Sequence, residues 1–193
     1  MEDSYRKEIE NALRIAYVVG DAVQCSASAD PLENKIIAHI VNDYGGWGRG
    51  FVVPLRSKYP SAEGYYRLWS QGDGPRNFYC YSGEFGLGMN QEVRVAPNVM
   101  VVNMCAQKGN STPSQPVAVQ YPDLRDCLCS LWATARQFNA SVHMPRIGCG
   151  LGGGRWDDIL RAMYDGYLQN NSALRPIATY VYDLPPRSST RAA

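Results

Sequence analysis

Hydrophobic residues recur along the chain with two different periods, and each period marks a different kind of element. A four-residue spacing at Tyr5, Ile9 and Leu13 predicts a helix with one apolar face. The nearly continuous apolar runs at 14–19 and 35–41 are typical of buried strands. The chain therefore begins with a helix and then two strands that are buried on both faces.

The rest of the chain continues this alternation, with Pro97 and Asn98 joining two strands as a hairpin. A polar stretch at 106–120 is predicted to be a mobile loop. Alternating strands and helices predict an α/β sandwich with helices on both faces of a sheet, and the hairpin makes that sheet mixed. Further helices are predicted at 51–59, 61–71, 121–139 and 156–169, and further strands at 92–96, 99–104, 141–144 and 177–184.

Length and composition fit one globular domain. The chain has 193 residues, of which 45% are hydrophobic and 19% charged. We assign residues 1–13 to an N-terminal helical extension, 14–184 to the folded domain and 185–193 to a flexible tail that has nothing to bury. The sequence predicts a monomer.

Charge and hydropathy narrow the classes of partner. The net charge is +1 and the basic residues are scattered, which argues against nucleic acid as a partner. The charged N-terminus lacks an apolar core, and no apolar run approaches the ~20 residues of a membrane span. We therefore expect a cytoplasmic protein, or a nuclear one in a eukaryote, with no membrane partner.

Cysteine and histidine usage predicts no metal site. The six cysteines, at 25, 80, 105, 127, 129 and 149, include no C-x-x-C pair, and the two histidines are His39 and His143. Without a secretory signal, free and mostly buried thiols are favoured over disulfides. No cofactor is expected.

Two glycine-rich loops, 45–50 and 148–154, each follow a predicted strand and precede a predicted helix. Glycines let backbone N–H groups approach a ligand closely, and such groups near a helix N-terminus bind anions. Two facing loops of this kind would suit a diphosphate with sugars on either side. A glycine loop is equally compatible with a plain turn, and neither loop matches the P-loop or the G-x-G-x-x-G dinucleotide pattern.

A carboxylate follows the first strand, at Gly20-Asp21. Ligands of open α/β sheets bind beyond the carboxyl ends of strands, where Asp21 can accept a hydrogen bond from an exocyclic amine such as adenine N6. The alternative is that Asp21 caps a turn or helix.

Several segments together resemble the macrodomain family. They are 19–21 (VGD), 38–43 (AHIVND), 46–51 (GWGRGF) and 144–151 (MPRIGCGL), followed by Trp156. The most similar branch contains the terminal ADP-ribose protein glycohydrolase and the yeast-type ADP-ribose 1''-phosphate phosphatase. The resemblance spans roughly 14–184 and implies a three-layer α/β/α sandwich with a mixed central sheet that binds ADP-ribose.

The resemblance also implies where the ligand lies. The carboxylate after the first strand would hold the adenine amine, the two glycine loops would clamp the diphosphate and distal ribose, and the last strand would pack against adenine. The residues it assigns to ADP-ribose are Asp21, Ala22, Asn42, Gly46, Trp47, Gly48, Arg49, Gly50, Phe51, Ile147, Gly148, Cys149, Gly150, Leu151, Gly152 and Leu184.

The sequence departs from this branch at its catalytic dyad. The glycohydrolase carries an Asp where this chain has Gly152 and a Lys where it has Ala106, so the dyad is absent unless Lys108 reaches back. His39 occupies the place of a histidine in the yeast-type phosphatase, although a histidine within an apolar strand is also typical of a hydrogen-bonded core residue. The candidate catalytic residues are Asn42, Asp43, His39 and Gln107.

Three functions remain open from the sequence. The first is a hydrolase that removes ADP-ribose from carboxylate-linked (Glu/Asp) protein adducts, because a held water can suffice for so good a leaving group. The second is an ADP-ribose 1''-phosphate phosphatase, and the third is a reader that binds ADP-ribose without turnover. The expected partners are ADP-ribose or ADP-ribosylated proteins.

Overall fold

The computed structural model describes residues 1–28, 30–74, 76–169 and 177–185. Helices and strands alternate for most of this length, with a short 3-10 helix at Ala22–Gln24. The helices are α1 (Asp3–Ala12), α2 (Val52–Lys58), α3 (Pro60–Ser70), α4 (Tyr121–Gln137) and α5 (Trp156–Gln169). The strands are β1 (Ile15–Val19), β2 (Asn34–Asn42), β3 (Cys80–Ser82), β4 (Asn90–Ala96), β5 (Val99–Gln107), β6 (Ala140–Pro145) and β7 (Thr179–Asp183).

The strands form one seven-stranded sheet in the order β1-β7-β6-β2-β5-β4-β3. The pairs from β1 across to β5 are parallel, whereas β4 pairs antiparallel with β5 and β3 pairs antiparallel with β4. The predicted mixed sheet is therefore confirmed. Its five parallel strands all end at the same edge, where the loops that follow them meet.

Two separate apolar clusters cover the two faces of the sheet. One cluster takes side chains from α1, α4 and α5, including Ile9, Leu128 and Ile159. The other takes Leu55 from α2 and Tyr66 from α3. The result is a three-layer α/β/α sandwich with a mixed central sheet, as predicted.

Some boundaries and two elements differ from the prediction. The strand Cys80–Ser82 and the 3-10 helix were not predicted, because three residues are too few to show a period. Helix α3 begins at Pro60, one residue before its predicted start at 61, since proline suits the first position of a helix. From residue 186 onward, the predicted tail lies outside the described residues.

Four cysteines are buried free thiols, as predicted, and burial raises the pKa of each of them: Cys25, Cys80, Cys105 and Cys127. Within the described ranges, no helix is both long and apolar enough to cross a membrane.

Candidate functional site

A cavity of about 500 Å³ opens at the sheet edge where the parallel strands end. Its walls come from the segments after β1, β2, β6 and β7, and from the start of α2. Both glycine-rich loops contribute to it. The lining residues are Gly20, Asp21, Ala22, His39, Ile40, Arg49, Gly50, Phe51, Val52, Pro54, Gln107, Pro145, Arg146, Ile147, Gly148, Gly150, Leu151, Gly152, Tyr182 and Leu184.

A second cavity, of about 390 Å³, continues from the first on the side away from Asp21. The two share a wall formed by Ile40, Arg49, Val52, Gln107 and Leu151. The rest of its lining comes from the end of β2, the segment that follows it and the loop after β5, namely Val41, Asn42, Tyr44, Gly46, Gly48, Asn110 and Ser111.

The side chain of Asn42 shapes the first glycine loop. Its Nδ2 donates to the Gly46 carbonyl at 2.6 Å, while its Oδ1 accepts from Gly46 N–H at 2.9 Å and from the Tyr66 hydroxyl at 2.9 Å. Gly45 and Gly50 both have φ of +82°, a region that favours glycine. Asn42 thus acts on the loop through hydrogen bonds while it also lines the second cavity.

Trp47 lies on neither cavity wall, and its predicted contact with the ligand stays a prediction. Its side chain is 6% exposed, and its indole N–H donates to the Val52 carbonyl at 3.1 Å. The ring packs edge-on against His39, with 5.3 Å between ring centroids, and against Tyr66. This contact with the start of α2 holds the first glycine loop against the protein interior.

The second glycine loop is tightly packed on its inner side. Gly148 has φ of +73°, and a Cβ there would lie 3.0 Å from both Ile159 and Val119. Gly154 N–H donates to the Gly148 carbonyl at 2.8 Å, which closes the loop on itself. Cys149, predicted to contact the ligand, is half-buried and lines neither cavity.

The loop after β5 lies directly against this second glycine loop. Ala118 N–H donates to the Gly152 carbonyl at 2.9 Å, and Ser111 Oγ donates to the Leu151 carbonyl at 2.6 Å. A Cβ at Gly153 would lie 2.0 Å from the Pro116 carbonyl oxygen, so the two backbones approach as closely as glycine permits. The predicted loop is therefore part of the cavity wall.

Asp21 combines the two roles that the sequence left open. Its Oδ1 accepts from Val23 N–H at 2.9 Å and caps the 3-10 helix. The residue also lines the first cavity, next to the buried Ala22. One carboxylate oxygen thus fixes the turn, and the other receives no hydrogen bond from the described residues.

Arg146 is a lining residue that the sequence analysis missed. Its guanidinium makes two hydrogen bonds to the Asp183 carboxylate, at 2.6 and 2.7 Å, and these lower the pKa of Asp183. The guanidinium carbon lies 4.7 Å from the ring centroid of Tyr17 and 5.1 Å from that of Trp156. Its place within the MPRIGCGL segment, directly after β6, was the available signal.

His39 is a core residue that also reaches the first cavity. It is 2% exposed, and its Nε2 lies 2.6 Å from Asn103 Oδ1 on the paired strand β5. Since Asn103 Nδ2 donates to Gln91 Oε1 at 2.9 Å, the Asn103 oxygen is the acceptor, and Nε2 carries the hydrogen. Burial lowers the pKa of His39 to about 4, so the ring is neutral at pH 7.

Asp43 and Gln107 are the remaining candidate catalytic residues. Asp43 lines neither cavity, and its Oδ1 accepts from Gly109 N–H at 2.8 Å. Gln107 lines both cavities; its Nε2 donates to the Gly109 carbonyl at 2.9 Å, while its Oε1 receives no hydrogen bond from the described residues. Lys108 is exposed and lines neither cavity.

The position of the missing aspartate has no free space. A Cβ at Gly152 would lie 2.8 Å from Val119 Cγ2 and 2.9 Å from the Gly148 carbonyl oxygen. Ala106, at the position of the missing lysine, is fully buried. Among the described residues, no group of three or more His, Cys, Asp or Glu side chains is placed to hold a metal ion.

Comparison with known proteins identifies the class of fold and then the family. No family model matches the sequence. A macrodomain protein from Streptomyces coelicolor is 35% identical in sequence, with a TM-score of 0.66; the match covers 88% of this chain and 98% of that one. The chain belongs to the macrodomain family.

Two other relatives match over most of their length. A Bacteroides thetaiotaomicron protein of unknown function is 36% identical, with a TM-score of 0.73 and coverage of 90% of this chain and 100% of that one. A Candida albicans protein named ADP-ribose 1''-phosphate phosphatase is 27% identical over 157 residues, which cover 78% of this chain and 92% of that protein.

Proposed function

We propose that this macrodomain binds ADP-ribose in the first cavity and hydrolyses a bond at C1'' of its distal ribose. The observation that carries the proposal is the convergence of both glycine loops and Asp21 on one cavity at the carboxyl edge of the sheet. A volume of about 500 Å³ lies within the usual range for small-molecule sites. The name of the Candida relative supports the same class of ligand.

In this proposal the ligand lies in the cavity in a defined direction. Adenine lies at the end with Asp21 and Leu184, where the second carboxylate oxygen accepts from the exocyclic amine. The diphosphate lies between the glycine loops, where backbone N–H groups and Arg49 meet its charge. The distal ribose then reaches past the shared wall into the second cavity, toward Asn42 and the first glycine loop, with Gln107 beside C1''.

The candidate catalytic side chains favour a substrate whose leaving group needs no proton. His39 is neutral and donates to Asn103, and Asp43 is bound to the backbone, so neither is arranged as a general acid. Gln107 Oε1 is free to accept from a water and orient it. The water oxygen bonds to the carbon as the ester C–O bond breaks, the carboxylate leaves, and the water's proton passes to solvent.

This chemistry favours carboxylate-linked adducts on glutamate or aspartate. A carboxylate leaves as an anion because its conjugate acid has a pKa of about 4, whereas a serine alkoxide or a neutral guanidine needs protonation or a stronger push. A 1''-phosphate is also a good leaving group, and the Candida relative favours that second candidate. The third candidate function, a reader without turnover, is favoured by Gly152 and Ala106 at the positions of the catalytic dyad.

A turnover panel tests the proposal. We expect wild-type protein to release ADP-ribose from a glutamate-linked peptide well above the buffer rate, and not from serine- or arginine-linked peptides, as measured by mass spectrometry. ADP-ribose 1''-phosphate and the 1''-O-acetyl ester complete the panel. Hydrolysis of ADP-ribose 1''-phosphate and of no other substrate in the panel would identify the phosphatase. Binding of ADP-ribose without hydrolysis of any substrate would identify the reader.

A matched pair of glycine variants tests the site itself. A Cβ at Gly150 meets no atom within 4 Å, and this residue lines the first cavity, so Gly150→Val should obstruct the ligand without disturbing the fold. Gly86 also has open space but lies outside both cavities, which makes Gly86→Val the control. Equal ADP-ribose affinity in the two variants, measured by calorimetry, would show that the ligand lies elsewhere.

A further inference from the structure

We infer that His143 is a positioning residue of the proposed ADP-ribose site, and that it acts through the hydroxyl of Tyr182. The inference rests on the proposed function, because it takes adenine to lie beside Asp21. His143 is fully buried and lines neither cavity, and no step of the proposed hydrolysis uses it. Its ring is nevertheless hydrogen-bonded to a residue of the first cavity wall.

A chain of buried hydrogen bonds connects the interior of the protein with that wall. Ser141 Oγ lies 3.0 Å from His143 Nε2, and His143 Nδ1 lies 2.8 Å from the Tyr182 hydroxyl. Each of these three side chains is at most 3% exposed. Burial lowers the pKa of His143 to about 4, so at pH 7 its neutral ring has one donor and one acceptor, and both nitrogens are in use.

Tyr182 lies where two parts of the first cavity wall meet. The residue lines the cavity beside Gly20, where a Cβ would be 3.6 Å from Tyr182 Cδ1. The Tyr182 hydroxyl also accepts from Ala27 N–H at 3.0 Å. This hydroxyl therefore connects His143, on strand β6, with the segment that follows the first strand.

Ala27 belongs to the turn at 21–28, which brings Asp21 to the cavity. Asp21 begins this turn by capping its 3-10 helix, and Cys25, with φ of +50°, ends that helix. The turn is thus held at its start by the Asp21 cap and near its end by the Tyr182 hydroxyl. The carboxylate that would hold adenine depends on both contacts for its position.

This arrangement favours a role in ligand binding over a role in the core alone. Buried polar side chains stabilise a fold only as far as their hydrogen bonds offset the loss of contact with water. An apolar side chain would fill the place of His143 without that loss, whereas a hydrogen-bonding one also fixes the Tyr182 hydroxyl and, through it, the turn. We therefore expect loss of His143 to displace Asp21 from adenine while the glycine loops keep their places.

A double-variant cycle tests whether His143 acts through Tyr182. Tyr182→Phe removes the hydroxyl and keeps the ring, and His143→Leu removes both ring nitrogens. The Kd for ADP-ribose, measured by calorimetry, should rise about fivefold in each single variant, which is the effect of one ordinary hydrogen bond. The double variant should also show about fivefold, whereas independent effects would multiply to about 25-fold and overturn the inference.

Two smaller ligands separate a positioning role from a general loss of structure. Adenosine monophosphate contains adenine, and ribose 5-phosphate contains only the part that would lie at the glycine loops. In all three variants, NMR titration should show the Kd for adenosine monophosphate rising about fivefold and the Kd for ribose 5-phosphate changing less than about twofold. Equal losses for the two ligands would mean that the whole site is disturbed, and would overturn the inference.

The control is Thr179→Val, which removes a buried hydroxyl from the same strand as Tyr182, outside both cavities. That hydroxyl donates to the Ile177 carbonyl at 3.1 Å, and its loss should leave all three Kd values unchanged. If His143→Leu does not fold, Ser141→Ala takes its place with the same criteria, because it removes the other hydrogen bond of the His143 ring.

An unchanged Kd for ADP-ribose in Tyr182→Phe would overturn the inference and leave ADP-ribose binding intact. Failure of the wild-type protein to bind ADP-ribose at all would instead overturn the proposed function itself.

Discussion

Gly152 is the residue at which packing limits the chemistry of the site. Val119 Cγ2 and the Gly148 carbonyl oxygen lie 2.8 and 2.9 Å from the place of a Cβ at this position. Val119 is itself buried, and the loop that carries it is bonded to the second glycine loop. An aspartate here would therefore be crowded by the Val119 side chain and the Gly148 backbone.

Gly152→Asp should consequently weaken the fold without restoring a catalytic dyad. Overpacking costs about 1–3 kcal/mol and an unpaired buried carboxylate adds to it, so we expect a loss of at least about 2 kcal/mol in the free energy of unfolding. Denaturant unfolding of this variant beside Gly86→Asp, at a glycine with open space, measures the difference. Full stability together with faster ADP-ribose release would mean that Val119 yields to the new side chain.

Membership of the site was predictable from the sequence for residues that closely follow the end of a strand. Asp21, Gly148 and Leu184 directly follow or closely follow strands, and all three line the cavity. Trp47 was assigned from the resemblance, and it turns inward because its indole N–H bonds to Val52. Such a contact depends on how the loop folds back on α2, which no pattern in the sequence reports.

At the scale of elements, Arg146 connects four helices and strands beside the first cavity. Its ion pair with Asp183 links the ends of β6 and β7, and the rings of Tyr17 on β1 and Trp156 on α5 lie against its guanidinium. Tyr17 continues the cluster by donating to Glu10 of α1 at 2.6 Å. A planar guanidinium is suited to both kinds of contact, and an ammonium is not.

Arg146→Lys should therefore loosen the end of the first cavity that Leu184 lines. The pair is partly exposed, so we expect a modest loss of about 1–2 kcal/mol in unfolding free energy from the weakened ion pair and ring contacts. ADP-ribose affinity should fall with it, and the pKa of Asp183 should rise toward its usual value. Calorimetry and carboxyl NMR titration measure these changes.

The control for this variant is Arg161→Lys on α5, where an exposed arginine pairs with Asp158 at 3.5 Å. That change should leave ADP-ribose affinity and unfolding free energy within experimental error. If Arg146→Lys behaves in the same way, the four-element cluster contributes nothing to the site.

The order of the elements was largely predictable because the strands and helices have distinct periods. The continuous apolar run of β2 and the helical periodicity of apolar residues in α4 both appear in the structure close to their predicted ends. Strand β3 was missed because it has three residues and carries the exposed Tyr81 on the sheet edge. The order of strands in the sheet was not predictable from local patterns, since it depends on which distant segments pair.

At the scale of the whole molecule, both histidines are buried in neutral form. His143 is fully buried, with Nδ1 2.8 Å from the Tyr182 hydroxyl and Nε2 3.0 Å from Ser141 Oγ. Burial is the main cause that lowers the pKa of His39 and of His143 to about 4. These are the two histidines of the sequence, and each changes the free energy of unfolding with pH in the same direction.

Stability should therefore fall as the pH decreases from about 6.5 to about 4. In this range the unfolded chain binds protons on both histidines and the folded chain does not, so unfolding takes up protons and becomes more favourable. Above pH 6.5 both states are neutral and the histidines add no pH dependence. Carboxylates whose pKa is lowered, such as Asp183, act at still lower pH. The steepest slope expected from two histidines is about 3 kcal/mol per pH unit.

Guanidinium unfolding at pH 7, 6 and 5 measures this slope, and His39→Gln and His143→Gln divide it between the two sites. Each variant should lose stability at pH 7, because each histidine makes buried hydrogen bonds, but each should also show about half the wild-type dependence on pH. The loss at pH 7 reports the hydrogen bonds of each histidine, and the change in slope reports its protonation. A wild-type free energy of unfolding that stays constant from pH 7 to pH 5 would mean that the folded protein accepts protons on these rings as readily as the unfolded chain does.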